Sequence, residues 1–345
     1  MDSHRFVDRD ESDAWYAKQE FRLLLHRLRS LPPAERTKLR TWFAEELRDD
    51  VPEAESRWAL PASPEEPPDI WSGKQEFRLL MRRLRGLSPN DRGRLQGLFT
   101  EEMLAQTLVV DTRHGPLSFV VLSERAAGRA RTLLEKQPDT IAWIDGFDPG
   151  GVFWDIGANI GVYALYAARR GDTRVVAFEP AAVNYFILSA NCEVNHFEDR
   201  MDCLLTGISS GSSIDRLGVT QFAPGDSFSF PGKPRHAEGV RQAAFMVSID
   251  QLVEQYGMPC PTYIKIDVPG LTAQIITGGA RTLRRPEVRE LHVEVNTRMR
   301  SGRTIAAMLE DAGYTPQARH AHGNTLPSTA HAKCANCRAN AHSLR

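Results

Sequence analysis

The first hundred residues repeat one helical pattern of apolar positions. Residues 18–31 recur almost unchanged as residues 74–87, and the apolar positions in both copies fall at the spacing of one helix face. A second, proline-led helical stretch follows each copy. We therefore predict two helical hairpins, residues 1–48 and 71–105, joined by a Pro- and Glu-rich linker, residues 49–70. Since one hairpin cannot bury its apolar face alone, we expect the repeats to pack on each other, on the following domain, or on a second subunit or protein partner.

From residue 106 to 320, short apolar strands alternate with helical stretches. A strand hairpin comes first, and a helix begins at Ser123. The alternation that follows predicts a mostly parallel sheet with helices on both faces, an α/β architecture of the Rossmann-like class. The predicted strands are 107–112 and 117–122 in the hairpin, then 152–155, 174–178, 201–206, 263–268, 290–295 and 314–320.

The last segment, residues 321–345, lacks the pattern of a strand. From Asn324 onward it contains no Val, Ile, Phe, Tyr or Trp. We predict a disordered tail, which leaves the strand at 314–320 as an exposed sheet edge. An ordered strand in this tail would contradict the prediction. Cys334 and Cys337 in the tail form only half of a zinc site, so we expect no metal.

Composition and charge argue against several classes of protein. The formal net charge is -1, so no global field attracts nucleic acid. The arginines of the repeats lie among acids without interleaved aromatic residues, which is typical of a solvated helix face. No apolar stretch reaches the roughly 18 residues of a membrane span, and residues 1–13 lack the apolar core of a secretory signal. Five cysteines do not suggest a disulfide framework, so we expect a cytoplasmic protein.

A glycine-containing turn follows the strand at 152–155. Asp155 ends the strand, and Gly157, Asn159 and Gly161 follow at every second position before a helix begins. Glycines allow a sharp turn and a close approach to a ligand, and the helix presents its N-terminus there. Asp155 favours a ligand with a cationic head. The asparagine disfavours a nicotinamide enzyme, which would have Gly-x-Gly-x-x-Gly. The alternative is a turn that only connects strand and helix.

An acid also follows the next strand. Glu179 comes directly after the strand at 174–178. A carboxylate at that place suits the two ribose hydroxyls of a nucleoside, as in dinucleotide-binding folds.

With these residues in place, the chain resembles the FkbM family of methyltransferases. Residues 152–161, 177–180 and 263–268 carry the resemblance, which runs from about residue 139 to 294. It implies a class I methyltransferase fold, S-adenosylmethionine as cofactor, and methyl transfer to a hydroxyl oxygen of a sugar or another small molecule. The cofactor residues that it implies are Asp155, Gly157, Asn159, Gly161 and Glu179.

Candidate catalytic residues follow the later parallel strands. Lys265 and Asp267 lie on one face of the strand at 263–268, because side chains alternate with period two. Asp267 is at the carboxyl end, where ligands bind in open sheets. It is our first candidate for the base, or the hydrogen-bond partner, of the acceptor hydroxyl, and Glu294 is the second. Lys265 either holds such a carboxylate ionised or forms a buried structural ion pair.

Other interpretations remain open. The family motif continues after the aspartate with two acids that this chain lacks: Val268-Pro269-Gly270-Leu271 follows Asp267. This favours a rival, a catalytically impaired scaffold assembled through the N-terminal repeats. Asp202 is either a neighbour of the adenine or a surface acid. The long connection at 207–244 either sets acceptor specificity or is a β-hairpin excursion.

Overall fold

The structure is a computed structural model. The residues that it describes are 107–219, 225, 240–268, 270–294, 300–318 and 329–334. The predicted helical hairpins and their linker lie outside the described residues. The chain divides into two compact units, of which one comprises residues 1–108 and 120–127 and the other residues 109–119 and 128–345. Every residue of the site described below belongs to the second unit.

The described part of the chain alternates strands and helices much as predicted. Its strands are β1 Thr107–Thr112, β2 Gly115–Val120, β3 Val152–Ile156, β4 Arg174–Phe178, β5 Met201–Leu204, β6 Gly207–Ile208, β7 Ser213–Val219, β8 Val240–Val247, β9 Tyr263–Ile266, β10 Glu290–Glu294, β11 Tyr314–Ala318 and β12 Thr329–Cys334. Its helices are α1 Glu124–Arg131, α2 Leu133–Lys136, α3 Pro138–Asp145, α4 Val162–Arg169, α5 Ala182–Val194, α6 Ile249–Glu254, α7 Thr272–Gly278 and α8 Arg300–Asp311, with one 3₁₀ turn at Thr282–Arg284.

Seven strands form one sheet in the order β11-β12-β10-β9-β3-β4-β5. From β10 to β5 all neighbours are parallel. Because the chain proceeds from β3 to β4 and β5 on one side, and reaches β9 and β10 on the other, the order reverses between β3 and β9. Ligands of open α/β sheets bind outside the carboxyl ends of the strands at such a switch point.

The prediction of a wholly disordered tail was wrong for residues 329–334. They form β12, which lies between β10 and β11 and runs antiparallel to both. The strand at 314–318 pairs with β12 on one side and remains the edge strand of the sheet, as predicted. We based the prediction on the absence of residues with high β propensity, but propensity in strands is weak beside context. Two neighbouring strands offer this segment hydrogen-bonding partners on both sides.

The central strands are apolar on both faces because both faces are covered. All four residues of β9 are buried, as are the last four of β3 and of β4. Trp154 and Phe178 belong to the core on the face that holds α6, α7 and α8 residues. On the opposite face, Trp143 of α3 stacks on His292 of β10. Helices on both faces confirm the predicted architecture, and near-continuous apolar strands are its sequence signature.

The long connection is a β excursion in the residues that the structure describes. β7 and β8 pair antiparallel in a separate three-stranded sheet with β6. This agrees with the hairpin interpretation. The aromatic residues of this connection, Phe222, Phe228 and Phe230, lie outside the described residues.

Candidate functional site

A cleft opens at the carboxyl ends of β9, β3, β4 and β5. Its empty volume, counted out to the open solvent, is about 650 Å³. Residues from the ends of these strands line it, together with residues from α1, α5, β6 and β7. The lining residues are Arg129, Ile156, Gly157, Asn159, Phe178, Glu179, Pro180, Asn184, Thr206, Gly207, Ile208, Leu217, Asp267 and Val268.

The turn after β3 forms one wall and requires its glycines. Gly157 has φ 84°, and a Cβ there would lie 2.5 Å from the backbone oxygen of Asp267. Gly161 has φ 87°, and its Cβ would lie 2.5 Å from Cδ1 of Leu188. Asn159 adopts φ 55°, which asparagine tolerates better than most residues. The turn can approach the end of β9 and Leu188 of α5 this closely only because the two glycine positions have no side chain.

Glu179 follows β4 and is almost fully buried. Its Oε2 accepts a hydrogen bond from the backbone N–H of Asn159 at 2.8 Å, and Oε1 accepts one from Ala181 at 2.9 Å. Burial raises the pKa of Glu179 from 4.5 to about 7, although these backbone N–H groups oppose the rise. The carboxylate thus holds the glycine turn in place. It also lines the cleft, where its pKa is about 7.

Three charged side chains lie in a row behind the turn. Nζ of Lys265 lies 3.3 Å from Oδ1 of Asp155 and 3.4 Å from Oδ2 of Asp267. Lys265 and Asp155 pair directly in the register of β9 and β3. Asp155 is fully buried and does not line the cleft, whereas the Asp267 side chain is 37% exposed and does. The geometry is consistent with both interpretations of Lys265. Its ammonium forms a buried ion pair with Asp155 and also lies beside the accessible carboxylate of Asp267.

Charge balance within this row sets the protonation of its members. Burial alone would lower the pKa of Lys265, but the two carboxylates outweigh burial and raise it above its usual range. The Lys265 ammonium lowers the pKa of Asp267. Burial raises the pKa of Asp155, although Lys265 opposes the rise, and Oδ2 of Asp155 has no hydrogen-bond partner. Asp267 is therefore the ionised carboxylate of the row that a ligand in the cleft can reach.

Asp202 does not lie where we predicted. It is near the start of β5, and its side chain is 44% exposed and pairs with Arg174 at 3.1 Å. The structure agrees with the surface-acid alternative. The cleft instead reaches the end of β5 and the residues after it, namely Thr206, Gly207 and Ile208. Asp202 is unsuited to this site because it lies near the beginning of its strand, whereas the cleft is at the carboxyl ends of the strands.

Arg129 and Asn184 are polar residues of the cleft that the sequence analysis missed. Arg129 of α1 donates through Nε to the backbone oxygen of Gly225, and Asn184 of α5 accepts a hydrogen bond from the Gly225 N–H. Neither residue belongs to a motif, and the excursion that contains Gly225 gives no pattern that links it to α1. Such contacts between distant segments leave no local signal in the chain.

Some predicted residues are only partly described. Glu294 ends β10, and its backbone pairs with Thr329 of β12; its side chain lies outside the described residues, so its catalytic role stays a prediction. Within the described ranges, no three His, Cys, Asp or Glu side chains are grouped to hold a metal ion. Nor does this part of the chain contain a helix that is long and apolar enough to cross a membrane.

The chain is similar to known methyltransferases. The family model of the methyltransferase FkbM domain matches residues 155–316. Methyltransferase sdnD of Sordaria araneosa is 30% identical over 195 residues, which cover 46% of this chain and 72% of that protein. Hexuronic acid methyltransferase AglP of Haloferax volcanii is 27% identical over 172 residues, which cover 48% of this chain and 65% of that protein. Among solved structures, the methyltransferase FkbM from Methylobacillus flagellatus aligns with a TM-score of 0.38 and 18% identity, over 54% of this chain and 44% of that chain.

Proposed function

Because this chain belongs to the FkbM family of methyltransferases, we propose that it transfers the methyl group of S-adenosylmethionine to a hydroxyl oxygen of a sugar or another small molecule. The similar protein from Haloferax volcanii is named for hexuronic acid, which supports a sugar as the acceptor. The observation that carries the oxygen-directed chemistry is Asp267, an ionised carboxylate that lines the cleft at the switch point of the sheet.

The cleft fits the cofactor that family membership implies. S-adenosylmethionine supplies a methyl group that is activated by a sulfonium. Gly157 and Asn159 line the cleft at the end of β3 and would hold the cofactor there. Glu179 would accept hydrogen bonds from the ribose hydroxyls. Phe178, Ile208 and Leu217 give the β5 end of the cleft an apolar wall that suits an adenine.

The residues of this chain would align the acceptor and take its proton. A sugar hydroxyl is a weak nucleophile, and a carboxylate that accepts its hydrogen bond orients an oxygen lone pair toward the donor. Asp267 would accept that hydrogen bond and then the proton. Lys265 would keep Asp267 ionised and its carboxylate fixed. Asp155 would balance the charge of Lys265 from the buried side.

An acceptor screen tests the proposed chemistry. We expect the purified full chain with S-adenosylmethionine to add one methyl group to a uronic acid or a neutral sugar, detected by mass spectrometry. NMR of the product should show an O-methyl group. Methyl transfer exclusively to a nitrogen or carbon atom across a panel of sugars, amines and polyketide-type alcohols would refute the hydroxyl assignment.

Glu179 should make cofactor binding depend on pH. If the ribose hydroxyls bind the ionised carboxylate, a pKa of about 7 predicts about tenfold tighter binding of S-adenosylmethionine at pH 8 than at pH 6, because the ionised fraction changes by about that factor. Isothermal titration calorimetry at both pH values measures this. Glu179→Gln should bind more weakly at pH 8 and lose the pH dependence, and a dependence that survives in this variant would assign it to another group.

The raised pKa of Glu179 also makes folding stability depend on pH, with the sign opposite to that expected for cofactor binding. The folded chain holds the Glu179 proton more tightly than the unfolded chain does, so stability is greatest below pH 4.5 for this group and is lost as pH rises through about 7. The sign differs from that of a carboxylate in an ion pair. Cofactor binding and stability therefore depend oppositely on the same ionisation.

A sheet without its last strand would also have favoured the rival scaffold function. The missing last strand is present as β12, whereas the acids absent after Asp267 remain a difference from the family pattern. We keep the cytoplasmic location, and assembly of the chain through its N-terminal repeats, as predictions. Cys192, Cys203 and Cys260 are free thiols, as the predicted reducing compartment requires.

A further inference from the structure

The described part of the cleft contains one cationic side chain, Arg129, to which the proposed function assigns no role. Arg129 lies in the last turn of α1 and is the only basic side chain among the described residues that line the cleft. Lys265 lies behind the glycine turn between two carboxylates and does not line it. A ligand in the cleft thus meets two acids, Glu179 and Asp267, and one guanidinium. This pattern suits a ligand with both positive and negative groups.

Arg129 acts on the β9 end of the cleft as well as on its middle. Lys265 lowers the pKa of Asp267, and the charge of Arg129 contributes in the same direction. Arg129 also opposes the rise that burial causes in the pKa of Tyr163, at the start of α4. Its hydrogen bond to the backbone oxygen of Gly225 fixes the side chain on that side of the cleft. The guanidinium therefore lies within electrostatic range of both the β3 turn and the end of β9.

The order of the strand ends indicates which part of the cofactor would lie near Arg129. Along the sheet the ends follow as β9, β3, β4 and β5. With the ribose at Glu179 after β4 and the adenine toward the apolar β5 end, the amino-acid portion extends toward β3 and β9. That portion carries an ammonium and a carboxylate. Asp267, the acid of the β9 end that lines the cleft, would repel the carboxylate, which therefore needs a cation.

We infer that Arg129 binds the α-carboxylate of the methionine portion of S-adenosylmethionine, so that the site selects the complete amino-acid head group. This inference rests on the proposed function. Guanidinium and carboxylate form short, often bidentate hydrogen bonds that are stronger than neutral ones. Arg129 is a binding residue here, and it takes no part in the methyl transfer itself.

Calorimetry with two cofactor forms tests the assignment. The full chain is titrated with S-adenosylmethionine and with decarboxylated S-adenosylmethionine, which keeps the adenosine, sulfonium and ammonium but lacks the carboxylate. We expect Arg129→Gln to weaken binding of the first about 10- to 100-fold, as is typical for loss of a hydrogen bond to a charged group. Binding of the second should change less than about threefold. Arg129→Lys should keep part of the affinity because it keeps the charge but not the planar fork.

Arg131→Gln is the matched control, because Arg131 is exposed and lies in the same turn of α1. It should leave both affinities unchanged. Equal weakening of both forms by Arg129→Gln would overturn the assignment and give Arg129 a structural role through Gly225. The assignment would also be overturned if Arg129→Gln left the binding of both forms unchanged, or if the parent chain bound both forms with equal affinity. Arg129 would then be tested as a binding residue for an acidic acceptor. A parent chain that binds neither form refutes the proposed function itself, which is a different failure.

Discussion

Replacing Asp267 with asparagine is expected to slow methyl transfer about 10²- to 10⁴-fold, the usual contribution of a positioned proton acceptor. The amide keeps the shape of the side chain but cannot take up the hydroxyl proton. Lys265 keeps Asp155 as a partner at 3.3 Å, so the fold should survive. Binding of S-adenosylmethionine should change less than about threefold, because its proposed ribose contact is at Glu179. Turnover with the acceptor from the screen and calorimetry with the cofactor measure the two effects.

The matched control for this change is Asp202→Asn. It makes the same chemical substitution at an aspartate that lies outside the cleft and pairs with Arg174 on the surface. Its turnover should stay within about twofold of the parent chain. If Asp267→Asn folds, binds the cofactor and still turns over within a few-fold of the parent, Asp267 is not the proton acceptor. Glu294, the second candidate, would then be tested in the same way.

Replacing Lys265 with methionine is expected to destabilise the folded domain by about 3–5 kcal/mol, the typical cost of breaking a buried ion pair by removing one partner. Methionine has a similar length, so packing changes little, but Asp155 is left fully buried without its cation. For a domain of this size the melting temperature should fall by roughly 6–20 °C. Calorimetric or urea unfolding of the full chain measures the change.

The pH dependence of this loss identifies its cause. In the variant, Asp155 can remain buried only with a proton, so the destabilisation should grow as pH rises and shrink toward acidic pH. Adding Asp155→Asn should recover much of the stability, because the buried charge is removed. Lys136→Met, at an exposed lysine of α2, should change stability by less than about 0.5 kcal/mol. A loss of less than about 1 kcal/mol in Lys265→Met would mean that the ion pair contributes little.

Elements with a strong local pattern were predictable from the sequence. The strands at Val152, Arg174 and Tyr263 are short apolar runs, and their short length and flanking turn residues favour strands over helices. Ser248 caps α6 with a capping box to Gln251, a pairing of residue types that is a local sequence signature of a helix start. The turn at Gly157 was also predictable, because few residues besides glycine adopt its backbone conformation at such a close contact.

The placement of polar side chains was less predictable. Asp155 and Asp267 are both acids at the ends of predicted strands, and alternation alone made each a candidate to meet a ligand. The register of β3 with β9 decides otherwise, since it sets Lys265 beside Asp155 and buries both. Only Asp267, beyond the end of its strand, reaches the cleft. Register between strands that are distant in sequence is not encoded in either strand by itself.

The sequence by itself determined the class of the fold and the turn that forms one wall of the cleft, because these depend on local conformational preference and on apolar spacing. Tertiary structure decided the rest. It ordered residues 329–334 as β12 by offering them two hydrogen-bonding neighbours, and it placed Asp202 near the start of β5, paired with Arg174 on the surface and outside the cleft. It also brought Arg129 into the cleft. Each of these depends on long-range pairing, whose partners lie tens of residues apart and leave no periodic signal in the chain.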